Sequence, residues 1–384
     1  MIKIPISKPF LNQEEAQNAY ETILSGWVTQ GPKVEEFEEK FSHYVGSKYA
    51  IAVSSCTTAL HLSLIVAGIK PDDEVICPSM SFIATANSIV YTGAKPVFAE
   101  VDRETYNIDI KHTESLITPK TKAILIVHQM GMPSDIDAFK ELCKKYNLKL
   151  IEDAACAVGS KYKGKKIGSH SDLVCFSFHP RKIITTGEGG MITTSNEDYY
   201  IKLKRLRQHG MSINDRIRHL SNKALFEDYI EIGYNYRMTD IQASIGIKQL
   251  EKLDWIVSER RKIVQKYKDY LKDINCIKLP LEKEGYFSNY QSFSIYLNKN
   301  CPISRDDLIQ KLLDEGISTK RGIMTSHREL AYKNYCKNLT LPISEDLSDR
   351  SILIPLYVPM KDEEIYFVTE KLRKIVNFSG LYNF

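Results

Sequence analysis

The stretch SFHPRKIITTGEGG, Ser177 to Gly190, sets Lys182 five residues after a serine and just ahead of a glycine-rich turn. An amine in that company can form a carbon–nitrogen double bond to a carbonyl, while a hydroxyl holds a phosphate beside it. Two plainer readings compete for the stretch alone: a solvated lysine at a strand end, and a tight turn. SSCTTAL, Ser54 to Leu60, runs small hydroxyl residues straight into the start of a helix. Free N–H groups and the positive dipole end suit a phosphate there, although Ser and Thr also serve simply as caps. IEDAACAVGS supplies Asp153 after an apolar run, fit to accept structural hydrogen bonds or to hold a cationic ring nitrogen. PSMSFIATAN supplies Phe82, which reads as a core aromatic or as the cover of a flat ring.

A phosphate seat, an anion and an amine together match one cofactor. Pyridoxal 5'-phosphate needs a lysine for a Schiff base, a phosphate cradle, and a carboxylate that keeps its ring nitrogen protonated. A reading of TTGEGG as a nucleotide loop fails on spacing, because GxxxxGK[ST] is absent and no GxGxxG follows the first predicted strand.

Such residues need a scaffold, and the pattern from about residue 49 to 195 provides one. The β-rich runs YAIAVSS, EVICPS, KPVFAEVD, AILIVH, KLIEDA, LVCFSFH and GMITTS alternate with helical stretches. That alternation predicts an α/β fold: parallel strands joined by crossover helices, in a sheet covered on both faces. Ligands of open α/β sheets sit beyond the carboxyl ends of the strands, and Ser54, Phe82, Asp153 and Ser177 all lie at or just past such ends. A long helical pattern from Thr239 to about Leu271, with room for a break, predicts a bridge between domains. A strand in FSNYQSFSIYL and helices in SRDDLIQKLLDEGI and KDEEIYFVTEKLRKIV then predict a small α+β domain. The expected division is residues 1–250 as the large domain and 251–384 as the small one. KLKRLRQHG, Lys202 to Gly210, reads as the solvated face of a helix ended by glycine.

Composition narrows the class of function. The formal charge of +4, from 52 basic and 48 acidic residues, gives no global field suited to nucleic acid. The N-terminus lacks an apolar leader and no window approaches the length of a membrane span, so a cytoplasmic location is expected, away from membranes. Eight scattered cysteines without CxxC pairs suit reduced thiols better than disulfides or a metal cluster, and no structural metal is expected.

The residues resemble the DegT/StrS family of fold-type I pyridoxal phosphate-dependent aminotransferases, most of which aminate nucleotide-linked keto sugars. The resemblance runs through SGWVTQGPKVEEFEEKF, SSCTTALHLSL, PSMSFIATAN, GAKPVFAEVD, IEDAACAVGS, SFHPRKIITTGEGGMITT and LRQHG to GYNYRMTDIQASIGIKQL, about two-thirds of the chain. It implies a large domain with a mostly parallel seven-stranded sheet and a small C-terminal α+β domain. It makes Lys182 the residue that bonds the cofactor, Asp153 the partner of the pyridine nitrogen and Phe82 the stacking aromatic. Ser177 and Thr57, with neighbouring backbone, become phosphate ligands. Asn235 would reach the phosphate of the other subunit's cofactor, which implies a homodimer with shared active sites.

Two positions depart from the family pattern. Cys56 stands where a phosphate turn commonly has glycine, so that turn must avoid a glycine-only geometry or bear strain. Cys156 stands where glutamine or histidine usually meets the cofactor's phenolic oxygen, and a thiol is a weaker donor. A subgroup that replaces the lysine by histidine, and a relative with an iron–sulfur cluster, fit less well than transamination.

The amino donor implied is glutamate. For the acceptor, Trp27 and Gln30 in GWVTQGP, Arg237 in GYNYRM, and Arg321 and His327 in TKRGIMTSHREL are the candidates, with a polar surface loop as the plainer reading of the last pair. A nucleotide-linked keto sugar ranks first, a keto polyol or small phosphorylated ketone second. A regulator that binds the cofactor without turnover is the reading from another class.

Overall fold

Along β1, Tyr49–Val53, successive side chains turn to opposite faces: Ala50 and Ala52 join one buried cluster, Ile51 and Val53 the other. The same alternation divides Ile76 from Cys77, Ile124 from Leu125 and Phe176 from Cys175, so both faces of the sheet are covered. The computed structural model of the chain describes residues 4–213, 223 and 225–378.

The remaining strands are β2 Glu74–Pro78, β3 Lys95–Ala99, β4 Thr121–Val127, β5 Lys149–Asp153, β6 Lys161–Tyr162, β7 Lys165–Lys166, β8 Val174–Ser177, β9 Gly190–Thr194, β10 Ile277–Lys278, β11 Tyr286–Phe287, β12 Phe293–Leu297, β13 Lys320–Arg321 and β14 Ser351–Ile354. The main sheet has seven strands in the order β1-β9-β8-β5-β4-β2-β3. Strands β3, β2, β4, β5 and β8 are parallel and β9 runs antiparallel to both β8 and β1, so the seven-stranded sheet is mostly parallel, as the family resemblance implies. Between Ser177 and Gly190 the chain forms turns and no crossover helix, so it can only reverse direction. A second sheet, β10-β12-β14-β13, and a small one, β11-β6-β7, complete the strands. Ile4 pairs with Ile317, carrying the N-terminal segment to the neighbourhood of the second sheet.

Four helices matter for the site: α1 Gln13–Leu24, α2 Pro32–Val45, α3 Cys56–Val66 and α4 Ala84–Tyr91. The long helix, Asp240–Leu271, runs unbroken and starts at a capping box of Thr239 and Gln242. Its first residue also caps another helix. The buried Asp240 carboxylate accepts from the N–H groups of Gly31, Lys33 and Val34 at 2.7, 3.0 and 3.0 Å, where Gly31 has no side chain to cap α2 itself. The KLKRLRQHG run is helical to Leu206, but its Arg207 is only 2% exposed and bonds Glu38 and the Ala52 carbonyl. That arginine is therefore part of the interior and not of a solvated face. Among the described residues no helix is long and apolar enough to cross a membrane.

Candidate active site

The carboxyl ends of β1, β2, β5 and β8 converge, as the α/β rule requires. Asp153 ends β5, pushed inward by a strand buried over its last three residues. Its Oδ2 accepts from the Thr85 hydroxyl at 2.9 Å, and its Oδ1 from the Ala155 N–H at 3.1 Å and, weakly, from the Cys56 thiol at 4.0 Å. Thr85 is steadied in turn by Ser81 at 2.7 Å. Behind the carboxylate, His128 donates its backbone N–H to the Asp153 carbonyl at 3.1 Å and its Nε2 lies 2.8 Å from Glu152.

Burial lifts the Asp153 carboxyl above its ordinary range; the Ala155 N–H, the Thr85 hydroxyl and the Lys182 charge offset that only in part. A buried carboxylate left short of compensation gains from a further cationic N–H. Burial, then the charge of Asp153, pushes the Cys56 thiol well up, so it stays protonated and can donate.

Lys182 follows β8, its backbone N–H turned back to the His179 carbonyl at 2.8 Å, and its Nζ donates to the Cys156 sulfur at 3.1 Å. Burial lowers the affinity of this amine for its proton, but the charge and hydrogen bond of Cys156 and the charges of Asp153 and Cys56 outweigh it, leaving the lysine above its ordinary value. Surroundings supplied by the chain alone thus favour the ammonium. A base here needs a further cation beside it.

The phosphate seat is α3. Ser55 is extended at φ −165° and caps the helix through a box with Thr58, leaving the N–H groups of Cys56 and Thr57 in the unpaired first turn. Cys56 is helical and takes no left-handed backbone, so its replacement of glycine costs no strain here. The glycine that matters is Gly190 in β9. A Cβ there would lie 2.5 Å from the Ser55 carbonyl and 2.7 Å from the Cys56 nitrogen, so only glycine lets the strand pass under the helix end. Ser177 pairs with Gly190, and its Oγ accepts from the His179 N–H at 3.4 Å. Phe82, three residues before Thr85, is 70% exposed, which removes the core reading and leaves the ring free to face a ligand.

The other candidates fall in three places. Gln30 bonds Gln208 at 3.2 Å, Gln208 pairs with Asn235, and the Tyr236 carbonyl accepts from the Ser54 N–H at 2.9 Å, so this segment lies against the start of α3 with Asn235 exposed. Trp27 stands just before it, packed over Gly31, while Arg237 is partly buried. His327 faces inward: its two ring nitrogens lie 2.5 Å from the Ser79 hydroxyl and 3.0 Å from Glu345, so its bonds tie chain to chain. Arg321 is exposed on β13 beside Lys320. Burial, then the charges of Arg181, Arg321 and Lys182, hold Lys320 below its ordinary value.

Three contributors escape the sequence reading. Arg181 and Lys320 carry no local signal, and only the fold brings their charges to act on one another. Asn289, fully buried just before β12, donates its amide to the carbonyls of Cys156 and Val158 at 2.9 and 2.7 Å, while its N–H bonds Ser160. A buried asparagine flanked by Ser and Tyr carries no sequence signal for that role.

The amine, the under-compensated carboxylate and the helix end over Gly190 fit the demands of a phosphorylated pyridine aldehyde. The class they describe is the pyridoxal phosphate-dependent aminotransferases. Within it, the chain belongs to the DegT/DnrJ/EryC1/StrS aminotransferase family, whose model matches residues 9–373. The likeness therefore extends well beyond the expected first two-thirds.

Among sequence relatives, an uncharacterized protein of Methanocaldococcus jannaschii is 40% identical, covering 97% of this chain and 98% of its own. The spore coat polysaccharide biosynthesis protein SpsC of Bacillus subtilis is 37% identical, covering 97% of both chains. Among solved structures, Streptococcus pneumoniae Spr1654 in its PMP form superposes with a TM-score of 0.93 at 29% identity, over 98% of this chain and 100% of that one; a PLP form is also known. Helicobacter pylori PseC, an aminotransferase in pseudoaminic acid biosynthesis, gives 0.91 at 28% identity over 98% and 99%.

Proposed function

We propose that this aminotransferase moves an amino group from glutamate to a nucleotide-linked keto sugar bound for a surface glycan or polysaccharide. The observation that carries the acceptor reading is the exposed basic pair Lys320 and Arg321 on β13, with the charges of Arg181 and Lys182 acting on Lys320. A nucleotide-linked sugar brings a diphosphate, and clustered guanidinium and ammonium groups suit it. SpsC and PseC, by their names, act in polysaccharide and pseudoaminic acid biosynthesis, which supports the same direction.

Bound pyridoxal phosphate supplies an aldehyde that exchanges amino groups and a protonated ring that draws electrons from the carbon losing its proton. Lys182 would hold the aldehyde and serve as the group that moves the proton at the donor's Cα. Asp153 would keep the proton on the ring nitrogen. The first-turn N–H groups of Cys56 and Thr57 would bind the phosphate with Ser177, and Phe82 would cover the ring. Cys156, in contact with Lys182, would orient the amine.

A homodimer follows from the same reading, with Asn235 lent to the partner's phosphate. Its support is exposed apolar surface: Phe226 is 87% and Ile232 91% exposed, and α1 shows Tyr20, Ile23 and Leu24. Eight free cysteines agree with a reducing cytoplasm.

The test converts the enzyme to its amine form with glutamate and offers nucleotide-linked keto sugars, an unlinked keto polyol and a small phosphorylated ketone. Amination of a nucleotide-linked sugar, with Lys320→Ala raising KM about tenfold and sparing kcat, is the expected result. Preference for an unlinked ketone rejects the acceptor, and no conversion of any ketone favours a non-catalytic binder.

A further inference from the structure

We propose that Cys156 and Lys182 form a sulfur–nitrogen cross-link when a peroxide reaches the site, so that oxidation reversibly withdraws the amine. Lys182 Nζ donates to Cys156 Sγ at 3.1 Å, which puts a nucleophilic nitrogen in contact with an oxidisable sulfur. Cys156 is partly exposed while the neighbouring Cys56 is buried, so a small oxidant in the site meets this sulfur first. The cysteine has little room to swing away, because Asn289 grips its carbonyl at 2.9 Å and that of Val158 at 2.7 Å. Lysine, on its flexible four-carbon stem, closes the remaining gap.

The chemistry balances in two steps. The Cys156 sulfur attacks one oxygen of hydrogen peroxide, the O–O bond breaks, and the sulfur keeps an OH as a sulfenic acid while the other oxygen leaves as water with the thiol proton. The Lys182 ammonium first gives one proton to solvent; the amine so formed attacks that sulfur, the S–O bond breaks, and the departing hydroxide takes one amine proton to form a second water. Sulfur is oxidised by two electrons, the peroxide is reduced, and the chain is left two hydrogens lighter. Sulfenic acids condense with nitrogen nucleophiles in this way. A dithiol reverses the link by attacking the sulfur and releasing the amine, then resolving the mixed disulfide. The inference rests on the proposed function only in treating Lys182 as the amine the reaction needs; the link itself forms without turnover.

The test uses the holoenzyme in two forms, one carrying pyridoxamine phosphate, which leaves the Lys182 amine free, and one carrying pyridoxal phosphate, which engages it. Each is treated with hydrogen peroxide, alkylated, digested and mapped by mass spectrometry. The expected product is a Cys156–Lys182 linked peptide two hydrogens lighter than the sum of its parts. It should form mainly in the first preparation, vanish in Cys156→Ser and be reversed by dithiothreitol. Cys156 recovered unmodified, or as sulfinic or sulfonic acid beside a free Lys182, overturns the proposal, as does a disulfide to Cys56. If borohydride places no cofactor on Lys182, the proposed function fails separately, and peroxide treatment of that same preparation still reads the cross-link.

Discussion

The side-chain amide of Asn289 donates to the Cys156 carbonyl at 2.9 Å, so a residue 133 positions away in sequence fixes the loop that follows Asp153. The same amide holds Val158, and Gly131 lies so close that a Cβ on it would meet the Asn289 Oδ1 at 1.9 Å. The segment before β12 is thereby sewn to the floor of the site.

Asn289→Ala should leave two buried carbonyls without partners, each costing about 1–3 kcal/mol. Denaturant unfolding should show the loss of stability. The bound cofactor's absorbance should also change its pH midpoint, because Cys156 no longer sits squarely against Lys182. An unchanged spectrum and pH profile would reduce Asn289 to a purely structural residue.

Gly190→Ala should push β9 against the Ser55 carbonyl, and overpacking of that kind costs about 1–3 kcal/mol. The displaced α3 terminus should weaken cofactor binding by about ten- to a hundredfold, a loss of that same energy. Titration of the variant with pyridoxal phosphate, followed by absorbance, measures this; affinity equal to the parent protein would show that the helix end is not the phosphate seat.

Asp153→Asn keeps the shape of the carboxylate and removes its charge. Cofactor should be retained, while turnover falls about 10²–10³-fold, the usual cost of deleting one preorganised electrostatic partner. A rate near that of the parent protein would separate Asp153 from the ring nitrogen.

How much of this was legible from residues alone differs by distance along the chain. Lys182 and Ser177 share one short segment, and Asp153 ends an apolar run, so strand-end position exposed them. Thr85 and Asn289 reach Asp153 and Cys156 across 68 and 133 positions, and such pairings leave no local pattern. The strand pattern alone does not say which strand of the mostly parallel sheet is reversed, because a period of two is the same in parallel and antiparallel strands; the missing crossover helix after Ser177 was the available signal for β9. His327 stands on a stretch that reads as a ligand contact or a polar loop, and its pairing with Ser79 and Glu345 is visible only in the fold.

Glu15 on α1 predicts a pH response remote from the site. Burial raises its carboxyl, but bonds from Lys252, Gln249 and the Asn12 N–H more than offset this and hold it below its ordinary 4.5. A carboxyl depressed in the fold stabilises the protein above its unfolded value, and the contribution is lost as pH falls through the folded one. Urea midpoints measured between about pH 6 and pH 3 should therefore drop less steeply in Glu15→Gln than in the parent protein. Parallel curves would rule out this link between α1 and the long helix.

The central claim is that one lysine carries the cofactor. Reduction of the yellow holoenzyme with borohydride, followed by digestion and mass mapping, should place the phosphopyridoxyl group on Lys182 and nowhere else, with Lys182→Ala giving an unlabelled chain that no longer transfers amino groups. Label on another lysine, or full turnover by Lys182→Ala, would contradict the account.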